Sequence, residues 1–194
     1  MTTFDRGFKA RAERAALAFR RELKLGPSDP LAPELLAAHL GIILWTPREI
    51  PGLPPDVLNQ LIEIDPWGWS GVSLTVDGSG VIIYNPRKSP GRRASDITHE
   101  LAHFILDHQP ATIILSAELD LGMRTFDAKQ EDEASWLAWC LLLPREALVQ
   151  AKLMRRSISD IAECYGVTEK LVTMRMDRTG VSSQFNAARK RQRI

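Results

Sequence analysis

The sequence predicts an α+β domain, mostly helical, with a small antiparallel sheet and one helix that carries a His-Glu-x-x-His run. Three observations predict it. Apolar residues recur at helical spacing near both ends of the chain, and two short strand-like stretches meet at the turn Asp77-Gly78-Ser79-Gly80. Between these regions, Asp96 to His108 gathers three of the four histidines in an apolar helical frame.

The chain of 194 residues has room for one domain with a sizeable core, or one domain plus a small appendage. A formal net charge of +1 provides no global attraction to nucleic acid or to a membrane surface. Met1 to Arg6 contains no apolar h-region and no later run approaches a membrane span, so a cytoplasmic protein is expected. Cys140 and Cys164 lie far apart in apolar helical contexts and form no C-x-x-C pair; both are read as buried free thiols.

Taken in order, Phe4 to Leu25 is an amphipathic helix with Phe8, Ala12, Ala16 and Phe19 on one side and arginines on a solvated other, closed by Gly26-Pro27. Pro33 to Leu40 is a short helix stopped at Gly41, and Ile42 to Trp45 a strand. His39, alone on its helix, is read as structural. A proline-rich loop, a short helix from Asp56 to Ile64 and a turn with Trp67 and Trp69 lead to strands Val72 to Val76 and Val81 to Tyr84. A basic loop follows Asn85-Pro86, and the histidine helix opens with Ser89 as N-cap and Pro90 at its first position, to end before Pro110. Ala111 to Lys129 has weak pattern and reads as a long loop. Gln130 to Leu143 is apolar on every side after its first turn, as in a helix buried mid-domain, and Pro144 stops it. Helices are expected over Pro144 to Met154, Ile158 to Cys164 and Thr168 to Met176, with a helix-turn-helix spacing between the last two. The tail after residue 180 is basic and expected to be disordered.

On a helix His99 and His103 stand one above the other, so two imidazoles can hold one divalent metal. Glu100, rotated about 100° from His99, lies beside the metal, where a carboxylate can take a proton from a metal-bound water. A catalytic zinc normally has a third protein ligand. No three-histidine continuation follows His103, which leaves a glutamate from a later helix: Glu131 or Glu133. Glu131 shares its helix face with the small residues Ala134, Ser135 and Ala138, which would let two helices approach, whereas Glu133 shares its face with Trp136, Leu137 and Cys140. Glu131 is therefore the preferred ligand, and Glu133 a group behind it. By helical spacing His108 turns away from the ligand face and is read as a supporting or surface residue.

The stretch His99-Glu100-Leu101-Ala102-His103, with Leu106 and His108 after it, and then Glu131-x-Glu133-Ala134-Ser135-x-Leu137-Ala138-x-x-Leu141-Leu142-Leu143-Pro144, closely resembles the ImmA/IrrE family of metallopeptidases. Ser135 stands where asparagine or aspartate is frequent there, and Leu137 where phenylalanine is frequent. The resemblance runs from about Leu31 to the Ile158 to Met176 helices. The chain is accordingly divided into an N-terminal amphipathic helix over 1–30, a zincin-like metallopeptidase core over 31–145, a helix-turn-helix-like segment packed on it over 146–180 and the basic tail over 181–194. The resemblance implies an intracellular gluzincin-like peptidase that cleaves or otherwise inactivates a helix-turn-helix repressor, with the first glutamate of the later helix as third zinc ligand.

The expected chemistry follows from those ligands. Zinc on His99, His103 and Glu131 would lower the pKa of its water from about 15.7 to about 7. Glu100 would take the proton as the oxygen attacks the scissile carbonyl and pass it to the leaving amine. Tyr84, His108, Tyr165 and the arginines are the candidates to stabilise the oxyanion. Either strand of the hairpin could hold an extended peptide, with Trp67 and Trp69 flanking it. The competing expectation is a binding module that disables a repressor by contact, its zinc site structural or vestigial. Direct nucleic-acid binding is not expected, since Thr168 to Thr173 offers few side chains for base edges. No feature of the sequence speaks to oligomeric state.

Overall fold

Strand β3 (Ser79–Tyr84) is the centre of a three-stranded sheet ordered β1-β3-β2. The computed structural model describes residues 4–76, 78–108, 113–115, 122–124 and 127–185. Strand β2 (Gly71–Val76) pairs antiparallel with β3, from Gly71 opposite Tyr84 to Val76 opposite Ser79. This is the hairpin that the alternation predicts, with Gly78 at φ 79 in its turn. Strand β1 (Ile43–Trp45) joins the other side of β3 in parallel, so the sheet is mixed rather than wholly antiparallel. The intervening stretch of more than thirty residues, 46–78, supplies the crossover that parallel pairing requires. Within it, helix α3 (Pro55–Asn59) continues directly into a π-helical turn, Gln60–Ile64.

Helix α1 (Phe8–Glu22) begins after Gly7, four residues later than the periodicity suggests; Phe4 lies outside it, its ring stacked on Phe8 at 5.3 Å. Helix α2 (Pro33–His39) follows as expected. Helix α4 (Pro90–Ile105) carries the histidines, and α5 (Ala128–Leu142) packs against both α4 and α1. The start of α5 is fixed by Asp127, whose carboxylate accepts from the backbone N–H groups of Lys129 and Gln130. Ala16, Leu36, Ile82, Ile97, Leu101 and Leu137 are among the residues that form the main core. Each such leucine or isoleucine contributes about 1.5–3 kcal/mol by leaving water.

A second core is built from the end of α5 with α6 (Arg145–Leu153), α7 (Ile158–Tyr165) and α8 (Glu169–Arg178), around Leu143, Leu148, Ile161 and Val172. Residues 181–185, expected in the tail, are helical, and Val181 is buried in this core. The rest of the tail and Pro110 lie outside the described residues. Two short strands, β4 (Ile113–Leu115) and β5 (Gly122–Arg124), pair antiparallel where a long loop was expected. Three residues per strand are too few to leave an alternation in the sequence.

Two arginines are buried, and one of them, in α1, departs from the expected solvated face. Arg20 of α1 and Arg175 of α8 are fully buried, and both end on the last carbonyls of α5. Arg20 donates to Leu141 O at 2.8 Å, Ala16 O and Asp29 O, and Arg175 to Leu143 O at 3.0 Å and to Glu13 at 2.7 Å. Pro144 stops the helix and leaves those carbonyls without helical partners, and a guanidinium is the side chain with enough donors to satisfy them. Burial lowers the Arg20 pKa to about 10. Cys140 is buried as expected, its thiol pushed up by burial, but Cys164 is exposed, since the short α7 turns only Ile161 and Ala162 fully inward.

Candidate metal centre

Helix α4 lies between the sheet and α5, and its residues divide accordingly. Cross-strand partners share a face of a sheet, so Ser73 lies with Ile82 and Gly71 with Tyr84 on the face whose Ile82 and Tyr84 pack into the main core with Leu101. Glu100 points to that face. The Ser73 hydroxyl donates to its carboxylate at 2.6 Å, and Glu100 is 5% exposed. Gly71 lies close by: a Cβ there would be in ordinary van der Waals contact with Glu100 Cγ at 3.6 Å.

One position away on the wheel, His99 and His103 point to α5. His99 Nε2 is 3.1 Å from Glu131 Oε2 and 3.2 Å from His103 Nε2, and His103 Nε2 is 3.7 Å from Glu131 Oε1. Two imidazole nitrogens and a carboxylate oxygen, all within 4.8 Å of one another, form a group fit to hold a metal ion. Their side chains are 25%, 14% and 29% exposed, so the group is open on one side. Buried Ala134 and Ala138 in α5 give α4 its close approach. The donor set suits zinc, with imidazole and carboxylate at three positions and room for a fourth ligand.

The Nε2 atoms face the cluster because each Nδ1 is engaged elsewhere. His99 Nδ1 lies 3.5 Å from Ser135 Oγ, and His103 Nδ1 lies 3.1 Å from His108 Nδ1. The second contact corrects the expectation that His108 turns away. Helical spacing does not apply to it, because α4 ends at Ile105. Asp107 takes a left-handed conformation at φ 52, its N–H reaches Phe104 O, and His108 N–H reaches back to His103 O at 3.0 Å. This is a Schellman closure, and it folds His108 onto the ligand it follows. The far nitrogen of His108 sits 3.5 Å from Glu133 Oε2. Burial holds the His108 imidazole below its ordinary pKa, against the raising effect of Glu133.

The structure therefore brings together His99, Glu100, His103, His108, Glu131 and Glu133, and adds Ser73, which the sequence reading did not single out. Tyr165 is not among them: its hydroxyl donates to Ser28 O at 2.5 Å, and it packs in the second core, so its expected role at the oxyanion is withdrawn. Tyr84 packs against the main core at the end of β3. His39 pairs with Glu22 at 2.9 Å, apart from the cluster. Trp69 donates to Leu61 O at 2.9 Å, whereas Trp67 is 67% exposed beneath Lys88. No described helix is long and apolar enough to cross a membrane.

No curated protein matches the chain. Seven solved chains match it. One, a Mycobacterium tuberculosis transcriptional regulator, is similar at 18% identity and a TM-score of 0.49, over 86% of this chain and 46% of that one. The chain thus spans less than half the length of that protein. The model of one family, described as the IrrE N-terminal-like domain of Peptidase_M78, matches residues 61–177, from the π-helical turn through β2, β3, the histidine helix and α5 to α8. That span holds every residue of the cluster and more than half of the chain, and the chain belongs to this peptidase-like family.

Proposed function

We propose that this chain is a zinc-dependent endopeptidase that cuts an extended segment of a specific intracellular regulatory protein, with a helix-turn-helix repressor as the substrate class. The observation that carries the reading is that one helix, α4, bears two members of a three-donor group fit to hold a metal and, next to His99 in the chain, the buried carboxylate of Glu100 held by Ser73. His99, His103 and Glu131 would hold the ion, which would supply Lewis acidity at the scissile carbonyl and lower the pKa of a water. Glu100 would act as the general base, taking a proton from the attacking water and handing it to the leaving amine.

Strand β2 gives the substrate its place. Among the described residues it pairs only with β3, so its outer edge has backbone donors and acceptors free for an extended peptide, next to Glu100. Trp67, exposed at the entry to β2, flanks one end of that edge.

In this reading α7 and α8 serve the fold: they build the second core, and Gly91 at the start of α4 lies against the backbone of Val167 and Thr168 in the turn between them, while Thr168 to Thr173 offers few side chains for base edges. The test is Glu100→Gln, with zinc content and intact partner mass as readouts. The variant is expected to keep its zinc and to leave a co-expressed repressor whole where the unaltered protein yields fragments. Equal cleavage by the two proteins would sink the enzymatic reading, and release of a whole repressor by the unaltered protein would replace it with a binding module.

A further inference from the structure

His103, His108 and Glu133 make a chain of contacts that leads away from the cluster into α5, and no step of the chemistry above uses its two outer members. The chain constrains where protons sit. Nε2 of His103 faces His99 and Glu131, so it is the atom with a lone pair for a metal. Its Nδ1 must then carry the hydrogen, and His108 Nδ1 lies in reach of it at 3.1 Å. Two nitrogens at that separation need one donor and one acceptor. His108 Nδ1 is therefore the acceptor, its hydrogen is on Nε2, and that N–H faces Glu133 Oε2 at 3.5 Å, an acceptor only. One arrangement of protons satisfies all three residues.

We propose that His108 and Glu133 are positioning residues that fix His103 as its Nδ1–H tautomer and so set the affinity of the centre for zinc. The inference rests on reading His99, His103 and Glu131 as a metal centre, and it assigns to the two α5 glutamates separate tasks, Glu131 at the ion and Glu133 two imidazole lengths behind it. The device is a carboxylate–histidine pair of the kind that orients metal-ligating histidines, lengthened by one ring. It is buried: the side chains of His108 and Glu133 are 7% and 12% exposed, so water does not compete for these contacts as it would at a surface. It is also built by the backbone, since the left-handed turn at Asp107 brings His108 back to His103.

The experiment has two arms on the full chain. In the metal-free protein at pH 8, long-range proton–nitrogen correlation of His103 is expected to show Nδ1 protonated and Nε2 bare; in His108→Ala the population shifts toward Nε2–H. In competition with a chromophoric chelator, His108→Ala and Glu133→Ala are expected to bind zinc about 10–100-fold more weakly than the unaltered protein. Glu133→Gln, which keeps an acceptor for the His108 N–H, is expected to lose only a few-fold, a recovery that general loosening of the core would not produce. The proposal is overturned if His103 has the Nε2–H tautomer in the unaltered protein, or if His108→Ala and Glu133→Ala bind zinc within twofold of it. Failure of the unaltered protein to bind zinc at all would instead overturn the metal-centre reading, and the tautomer arm would still decide the role of His108.

Discussion

Ser73 shows what a single residue contributes here and why it escapes notice in the chain. It stands in an alternating strand where a serine is unremarkable, and its importance arises from register: opposite Ile82, it faces α4 and donates to Glu100. A slip of one position would turn it to the other face. Ser73→Ala is expected to lower kcat about tenfold with zinc binding unchanged, in keeping with about 1.5 kcal/mol for a hydrogen bond to a charged group. Steady-state cleavage of the partner, read beside zinc content, checks this; an unchanged kcat would mean that the Ser73 hydroxyl does not position the carboxylate for catalysis. By contrast, His99, Glu100, His103 and Glu131 were all legible in the sequence, because spacing on two helices and the sizes of their neighbours are local properties. His108 is not legible, for a local reason as well. Helical spacing fails past a helix end that depends on Asp107, a residue tolerated in the left-handed region but less diagnostic of it than glycine.

At the scale of elements, the helices were the most legible part and their ends the least. Periodicity fixed α2, α4 and α8 to within a few residues, while α1 begins late, at Phe8, and α5 begins early, at the Asp127 cap. The parallel placement of β1 could not be read from three residues of strand, because it depends on the crossover. One contact between elements makes a direct prediction. A Cβ on Gly91 would lie 2.9 Å from the Val167 carbonyl carbon and 3.1 Å from Thr168 N, and both are backbone atoms that cannot turn aside. Gly91→Ala is thus expected to cost about 1–3 kcal/mol of stability. Denaturant unfolding of the metal-free protein measures it, and a loss below about 0.5 kcal/mol would show that the α7–α8 turn is not held tightly on α4.

For the molecule as a whole, the two cores meet at α5, which contributes Leu137 and Leu141 to one and Leu142 and Leu143 to the other. Arg20 and Arg175 tie the first and last long helices to the end of that same helix. Arg20 reads as surface charge in the sequence and Arg175 carries no signal there, since burial of a guanidinium depends on carbonyls supplied by residues more than a hundred or thirty positions away. The opposite end of α5 presents Glu131 to α4, so an ion at the cluster links α4 and α5 at one end while the arginines fix the other. Metal binding should therefore stabilise the fold by linkage, by about 2.7 kcal/mol at zinc a hundredfold above its dissociation constant. The most direct measurement is a calorimetric titration of zinc into the metal-free protein and into Glu131→Ala. The predicted result is one ion per chain for the unaltered protein and at least a tenfold weaker affinity for the variant. No uptake by the unaltered protein, or equal affinity in the two, would contradict the His99, His103 and Glu131 centre.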